Sequence, residues 1–270
     1  MSKFEKEQVF DFPSVLICGY GIVGKHLREE MPFAQTCDPD PDMGADFLTI
    51  PPVKYDMIFI AVPTPNRNGR CDTSFVEKVL RESNASLYVL KSTVPPSTTK
   101  SLSERFGRRI VFSPEYKGST PFADAGDFLI LGGAPEDCHK VSQMYGKIKP
   151  SSFRIHVCTS TEAEIIKYME NGFLAMKVIF CNQFKDIADL YGADYDRIRE
   201  GFIMDERVGS SHTRVYDDAR GYGSKCLSKD IPAFVNELKD KGFTDFILET
   251  VDRINNGYIK EKTYGRQEIP

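Results

Sequence analysis

"VLICGYGIVGKHL", residues 15–27, decides how the first half of this chain folds. A short apolar run leads into Gly19-x-Gly21-x-x-Gly24, and a helix-forming stretch begins inside the pattern. The first glycine permits a tight turn after a strand, the second lets backbone approach a pyrophosphate, and the third lets the helix pack close. The unpaired N–H groups of the helix start then face the phosphates. A short second strand, "AQTCD" (34–38), ends at Asp38, nineteen residues after Gly19. A carboxylate there accepts both ribose hydroxyls and repels a 2′-phosphate, which favours NAD over NADP. Gly19, Tyr20, Gly21, Ile22, Val23, Gly24 and Asp38 are therefore the expected cofactor contacts. A glycine-rich core turn is the plain alternative, and strand, helix and acid in register weigh against it. The intervening helix, "KHLREEMP", is short and stops at Pro32, so this crossover is compact.

Further apolar runs follow: "YDMIFIAV" (55–62), "SLYVLKS" (86–92), "RRIVFSP" (109–114) and "DFLILGG" (127–133). Helical stretches, "TSFVEKVLRES" (73–83) and "TTKSLSERFG" (98–107), lie among them. Near-continuous apolar strands alternating with helices predict an α/β fold, a Rossmann-like doubly wound parallel sheet covered on both faces. The pattern changes after residue 158. From Ser160 apolar residues recur at three- and four-residue steps for about thirty residues without proline, predicting one long helix. Ser160 or Thr161 is its expected N-cap, with Glu164 placed to favour its positive end. Two later helices are expected at about 230–241, closed by Gly242, and at 244–262. The chain thus divides into an NAD-binding domain (1–158) and a mostly α-helical central domain (159–270).

Composition narrows the function classes. With 270 residues, 41% hydrophobic and 27% charged, the chain has the make-up of a globular protein with a sizeable core. A net charge of −4 offers no electrostatic reason for nucleic acid or an anionic membrane as partner. No apolar run approaches the ~18 residues of a membrane span, and the start has no apolar signal core, so the reading is cytosolic. Seven cysteines without paired spacing suit reduced thiols, and neither C-x-x-C nor H-E-x-x-H occurs, so no metal site is expected. Cys18, Cys37, Cys71, Cys158 and Cys181 read as small core residues, and Cys138 has no evident chemical context.

Four more segments carry chemistry. "AVPTP" (61–65), "KSTVPPSTT" (91–99) and "SPEY" (113–116) each follow a strand, at the edge where open parallel sheets bind ligands. Lys167 and Asn171 in "KYMEN" stand four residues apart, on one face of the long helix. "GYGSKCLSKD" (221–230) surrounds Cys226 with glycines, lysines and Asp230. In isolation each has a bland reading: Lys167 and Asn171 a solvated helix face, Glu115 a turn cap, Thr93 a β-branched strand residue. His212 also suits a general base, but lone histidines are more often structural.

Taken in order, these segments closely resemble the UDP-glucose/GDP-mannose dehydrogenase family, from about residue 14 to about residue 258. Its patterns are G-x-G-x-x-G, A-V-P-T-P, S-T-V-P, S-P-E-[FY], K-x-x-x-N and G-[FY]-G-G-x-C-x-x-K-D. The resemblance implies NAD-dependent four-electron oxidation of the C6 alcohol of a nucleotide sugar to a uronate, UDP-glucose being the first candidate. It implies that Cys226 captures the aldehyde as a thiohemiacetal and then a thioester, and that Lys167 and Asn171 stabilise oxyanions at C6. It gives Thr93 and Asp230 the catalytic water, and Glu115 the hydrolysis of the thioester. It adds Val62, Pro63, Thr64, Ser92, Thr93, Glu115 and Lys229 to the cofactor contacts. Glu115, Tyr116, Lys167, Asn171, Arg207, Tyr222, Gly223 and Cys226 become substrate contacts, with Arg207 serving the neighbouring subunit of a homodimer formed through the helical domain. A helix starting near Ser228 would place its positive end, with Lys229, beside the thiol.

The chain departs from that pattern at Ser224, where glycine is usual, at Ser228, where proline is common, and at Ser119, where many relatives carry a second glutamate. Family members usually continue into a C-terminal nucleotide-binding domain, which this sequence is expected to lack. Three readings therefore stand: a compact dehydrogenase holding its nucleotide across a dimer or with a partner chain; the same chemistry on GDP-mannose, a UDP-N-acetylhexosamine or another sugar alcohol; or a non-catalytic NAD-binding or assembly module.

Overall fold

The structure, a computed structural model, describes residues 12–116, 128–223, 226–244 and 246–264. It divides into two compact units. Among the described residues the first holds 12–64, 73–116 and 128–164; the second holds 65–72 and those from 165 onward.

The first unit is a seven-stranded sheet with helices between its strands. In chain order it runs β1 (Val15–Cys18), α1 (Ile22–Glu30), β2 (Gln35–Cys37) and β3 (Lys54–Ile60). Past a small hairpin, β4 (Asn66–Arg67) and β5 (Arg70–Cys71), come α2 (Ser74–Glu82), β6 (Asn84–Leu90), α3 (Thr98–Phe106) and β7 (Ile110–Phe112). β8 (Phe128–Gly132), α4 (Pro135–Tyr145) and β9 (Arg154–Cys158) complete it. The spatial order is β2-β1-β3-β6-β7-β8-β9, parallel throughout except for β7 against β8. The sheet is mostly parallel, as expected, with one antiparallel neighbour; an antiparallel pair needs no crossover helix to bring the chain back. All four residues of β1 are buried, because both faces of the sheet are covered. One face packs Val15, Ile17, Phe59 and Val89 with Leu27 of α1, Met31 just past its end, and Val141 and Tyr145 of α4.

The long helix α5 (Ser160–Leu190) is capped differently from expectation. Thr159, upstream of both predicted caps, accepts the Glu162 N–H on its Oγ1, while Glu162 Oε2 accepts the Thr159 N–H at 2.8 Å. This reciprocal box satisfies two orphan donors, and its T-x-x-E signature was present in the sequence. Glu164 does not serve α5. Its buried carboxylate accepts the N–H groups of Ser97 (2.6 Å) and Thr99 (2.7 Å), capping α3.

The second unit continues α5 and adds α6 (Tyr195–Phe202), α7 (Leu227–Asp240) and α8 (Ile247–Tyr264). Ala175 and Ile179 of α5, Ile231 and Val235 of α7, and Leu248 and Val251 of α8 bury a second core with Tyr222. The β4–β5 hairpin packs on α7: Asn236 Nδ2 donates to the Gly69 carbonyl and Arg70 pairs with Asp240. Gly242, left-handed at φ +78°, follows the end of α7. No helix among the described residues is long and apolar enough to cross a membrane.

Of the cysteines expected in cores, Cys18, Cys37 and Cys181 are buried, but Cys71 and Cys158 are only half-buried. Cys71 sits in the small hairpin and Cys158 on the edge strand β9, where nothing covers both sides. Cys138, which had no assigned context, is wholly buried on the inner face of α4.

Candidate active site

In the first unit the expected cofactor residues gather at the C-terminal ends of β1, β2, β3 and β6. Gly19 adopts φ +94°, and a Cβ there would stand 2.5 Å from the Ala61 carbonyl oxygen. At Gly24 it would lie 2.0 Å from the Gly19 oxygen, so helix α1 approaches the turn as closely as backbone allows. Gly21, by contrast, faces open space: nothing lies within 4 Å of its would-be Cβ. α1 begins at Ile22 with no acidic residue in its first turn, leaving the N–H groups about Val23 to an anion. Asp38 Oδ2 accepts the Tyr20 N–H at 2.7 Å, holding the carboxylate beside the glycine turn. The turn, the open face and the acid together fit a dinucleotide.

The loops after β3 and β6 are bonded together. Ser92 Oγ donates to the Val62 carbonyl (2.6 Å) and Thr64 Oγ1 to the Thr93 carbonyl (2.8 Å), while Pro63 stays exposed. Glu115, just past β7, lies 3.6 Å from the buried Lys91 ammonium, and its Oε1 accepts the Tyr116 N–H. Lys91 was not singled out from the sequence; it opens "KSTVP" and no local pattern links it to residue 115. The Tyr116 ring packs against Phe128.

The second unit assembles the other chemistry. Lys167 and Asn171 are buried, 8% and 4% exposed, so the solvated-face reading does not describe them. Asn171 Nδ2 donates to Asp230 Oδ2 at 3.0 Å; Lys229 Nζ bonds Asp230 Oδ1, and Lys167 Nζ bonds Glu170 Oε2 at 2.7 Å. Burial lifts the Asp230 carboxyl above its ordinary range, opposed by the Lys229 and Lys167 ammoniums and the Asn171 amide. Cys226 occupies the N-cap position of α7, exposed, and its carbonyl accepts the Asp230 N–H at 2.9 Å. Nucleophile candidate and buried carboxylate are thus one helical turn apart.

Tyr222 is buried and Gly223 exposed. Ser224 and Lys225, and the Ser119 position, lie outside the described residues. Arg207 is exposed and folds back on Asp205. His212 is held at φ +61° with Nδ1 against Ser211 Oγ; burial and the Lys177 ammonium lower its pKa. Among the described residues no group of three His, Cys, Asp or Glu side chains is placed to hold a metal ion.

Comparison with known proteins places this geometry. The NAD binding domain of the UDP-glucose/GDP-mannose dehydrogenase family matches residues 47–146, and the central domain of that family matches residues 161–257. The UDP-glucose 6-dehydrogenase of Rhizobium meliloti (strain 1021) is 28% identical over 239 residues, covering 79% of this chain and 52% of that protein. The UDP-glucose 6-dehydrogenase of Pseudomonas aeruginosa is 30% identical over 221 residues, covering 74% of this chain and 48% of that protein. The chain therefore spans about half the length of these curated relatives. The structure of a UDP-glucose dehydrogenase from the hyperthermophilic archaeon Pyrobaculum islandicum superposes with a TM-score of 0.77 at 23% identity, over 94% of this chain and 70% of that one, a likeness of fold. The dinucleotide is NAD.

Proposed function

We propose a function from one premise: the chain belongs to the UDP-glucose/GDP-mannose dehydrogenase family. It oxidises the C6 alcohol of a nucleotide sugar, UDP-glucose first among candidates, to the carboxylate. The observation that carries this reading is the buried Lys167–Asn171–Asp230 group lying one turn from an exposed cysteine at a helix start. A helix face without a task would leave a lysine and an aspartate in water, since burying them costs free energy.

When bound, NAD supplies a hydride acceptor for each of two two-electron steps. The C6 alcohol loses a hydride and a proton to become an aldehyde. Cys226 Sγ adds to the aldehyde carbon, and the carbonyl oxygen takes a proton, forming a thiohemiacetal. The Lys167 ammonium and Asn171 amide supply hydrogen bonds to the developing oxyanion. A second loss of hydride and proton leaves a thioester. Water, held by Thr93 and Asp230 and assisted by Glu115, breaks the C–S bond and returns the thiol. Overall, one alcohol and one water give one carboxylate and three protons, and the two hydrides reduce two NAD+ to NADH. Gly19 to Gly24, Asp38, Val62 to Thr64, Ser92 and Lys229 hold the cofactor, and Tyr116, Tyr222 and Gly223 border the sugar.

The protein acts as a homodimer through its helical unit, with Arg207 reaching the neighbour's sugar. Phe180, Phe184 and Phe202, exposed on α5 and α6 with rings 4.6 and 6.1 Å apart, support that face as the contact.

NADH production tests the activity, using UDP-glucose, UDP-galactose, UDP-N-acetylhexosamines and GDP-mannose. Two NADH per sugar, abolished by Cys226→Ser, is the expected result. NAD binding without turnover on any of them would overturn it and leave the readings of another sugar alcohol or a non-catalytic module.

A further inference from the structure

Three consecutive residues just ahead of the cysteine, Arg220, Gly221 and Tyr222, absorb an unusual share of the second unit's buried polar atoms. Asn182 on α5 and Asn255 on α8 are each 2% exposed. A buried side-chain amide costs free energy unless its donors and acceptors are met. Both amides serve this segment, though Asn182 Nδ2 donates to the Val178 carbonyl within α5 at 2.8 Å. Asn182 Oδ1 accepts Arg220 Nε at 2.7 Å and the Gly221 N–H at 3.1 Å. Asn255 Oδ1 accepts the Tyr222 N–H at 2.7 Å, and its Nδ2 donates to the Tyr222 carbonyl at 3.2 Å. The second amide therefore pairs with both the N–H and the carbonyl of one residue, as a neighbouring strand would.

Arg220 completes the arrangement. Its guanidinium donates to the Asn182 carbonyl at 2.9 Å and to Asp186 Oδ1 at 2.5 Å, and lies 4.9 Å over the Tyr258 ring. The Tyr258 hydroxyl donates to the other oxygen of Asp186. A side chain at position 221 would be strained: Gly221 sits at φ +70°, and a Cβ would meet Asn255 Oδ1 at 2.5 Å. The Tyr222 ring is buried in the core formed by α5, α7 and α8. Gly223, next along, is exposed, with open space around its would-be Cβ. Four residues after Tyr222 the Cys226 carbonyl accepts the Asp230 N–H at the start of α7.

We propose that Asn182, Arg220 and Asn255 are positioning residues for the cysteine loop, with Asp186 and Tyr258 orienting the guanidinium. They fix one end of a short segment whose other end is the α7 start, and so set where Cys226 Sγ stands relative to Asn171 and Asp230. None of them touches the reacting atoms. The proposal rests on Cys226 being the nucleophile.

Two variants test it, Arg220→Ala and Arg220→Lys. With NAD and the turned-over sugar, Arg220→Ala is expected to lose at least tenfold in kcat, with both KM values within about twofold and thermal midpoint within a few degrees. Arg220→Lys keeps a cation at Asp186 and is expected to regain most of kcat. Alkylation of Cys226 by iodoacetamide, followed by intact mass with Cys226→Ser as blank, needs neither sugar nor turnover. Its rate is expected to fall at least fivefold in Arg220→Ala. A protein without turnover whose alkylation still shows this dependence would sink the dehydrogenase reading and keep the clamp. Unchanged kcat or alkylation in folded Arg220→Ala would overturn the clamp. Should Arg220→Ala fail to fold, Arg220→Gln, which removes the cation at Asp186, decides: unchanged kcat and alkylation would overturn the proposal whatever the thermal midpoint, and a fall in both would support it.

Discussion

Asn171 Nδ2 donates to Asp230 Oδ2 across 3.0 Å, joining two helices whose contributing residues are 59 apart in sequence. This bond turns a pair of separate motifs into one buried polar group, and it opposes, more weakly than the lysines beside it, the rise that burial gives the Asp230 pKa.

The pH dependence of stability follows from Asp230. Burial raises its pKa in the folded protein above the unfolded value, so the folded state binds its proton more tightly. The associated stability is present below the unfolded pKa and is lost as pH rises through the raised folded one. Asp230→Asn cannot titrate. The stability of the native protein relative to Asp230→Asn should therefore decline from acid pH toward neutrality, measured as denaturant midpoints at a series of pH values. A difference that does not vary with pH would contradict the direction of the shift.

Gly21 separates folding from cofactor binding. It has an ordinary φ of −73° and open space where a Cβ would go. Gly21→Ala should fold with an unchanged thermal midpoint yet lose at least tenfold in NAD affinity by calorimetry, because the methyl occupies the pyrophosphate's approach. Gly24→Ala should fail in both respects, since its Cβ meets the Gly19 oxygen at 2.0 Å.

Glu164 ties the start of α3 to the start of α5. Replacing it with alanine orphans two N–H groups and should cost about 1–3 kcal/mol of stability by urea denaturation. An effect below a few tenths would mean that water takes over the cap.

The exposed aromatic face predicts self-association. Phe184→Lys should convert a dimer into a monomer in light scattering, with secondary structure intact; a native protein that is monomeric at high concentration would remove both the interface and the role given to Arg207.

Much of this molecule was legible from local patterns. Apolar runs marked β1, β3, β6, β7 and β8, because strands buried on both faces tolerate few polar side chains. β9 was passed over: it is an edge strand with Arg154, His156 and Val157 exposed, so it lacks that signal. The hairpin β4–β5 was equally silent, being two residues on each side and stabilised by α7. The Thr159–Glu162 box was readable, since both partners lie within one turn. Glu164 was misassigned, because a helix start of its own stood nearer in sequence than the one it caps.

The sequence by itself determined the alternating α/β order, the long helix, the glycine turn with its acid, and the family, since each depends on residues close together in the chain. Tertiary structure alone decided that Lys167, Asn171 and Asp230 are buried together, that Glu115 faces Lys91, and that two asparagines hold the segment before Cys226. Those relations join residues far apart in sequence, and a side-chain hydrogen bond acts only over about 3 Å. Only the packing of α5, α7 and α8 around their shared core brings the partners of the Cys226 segment within that reach.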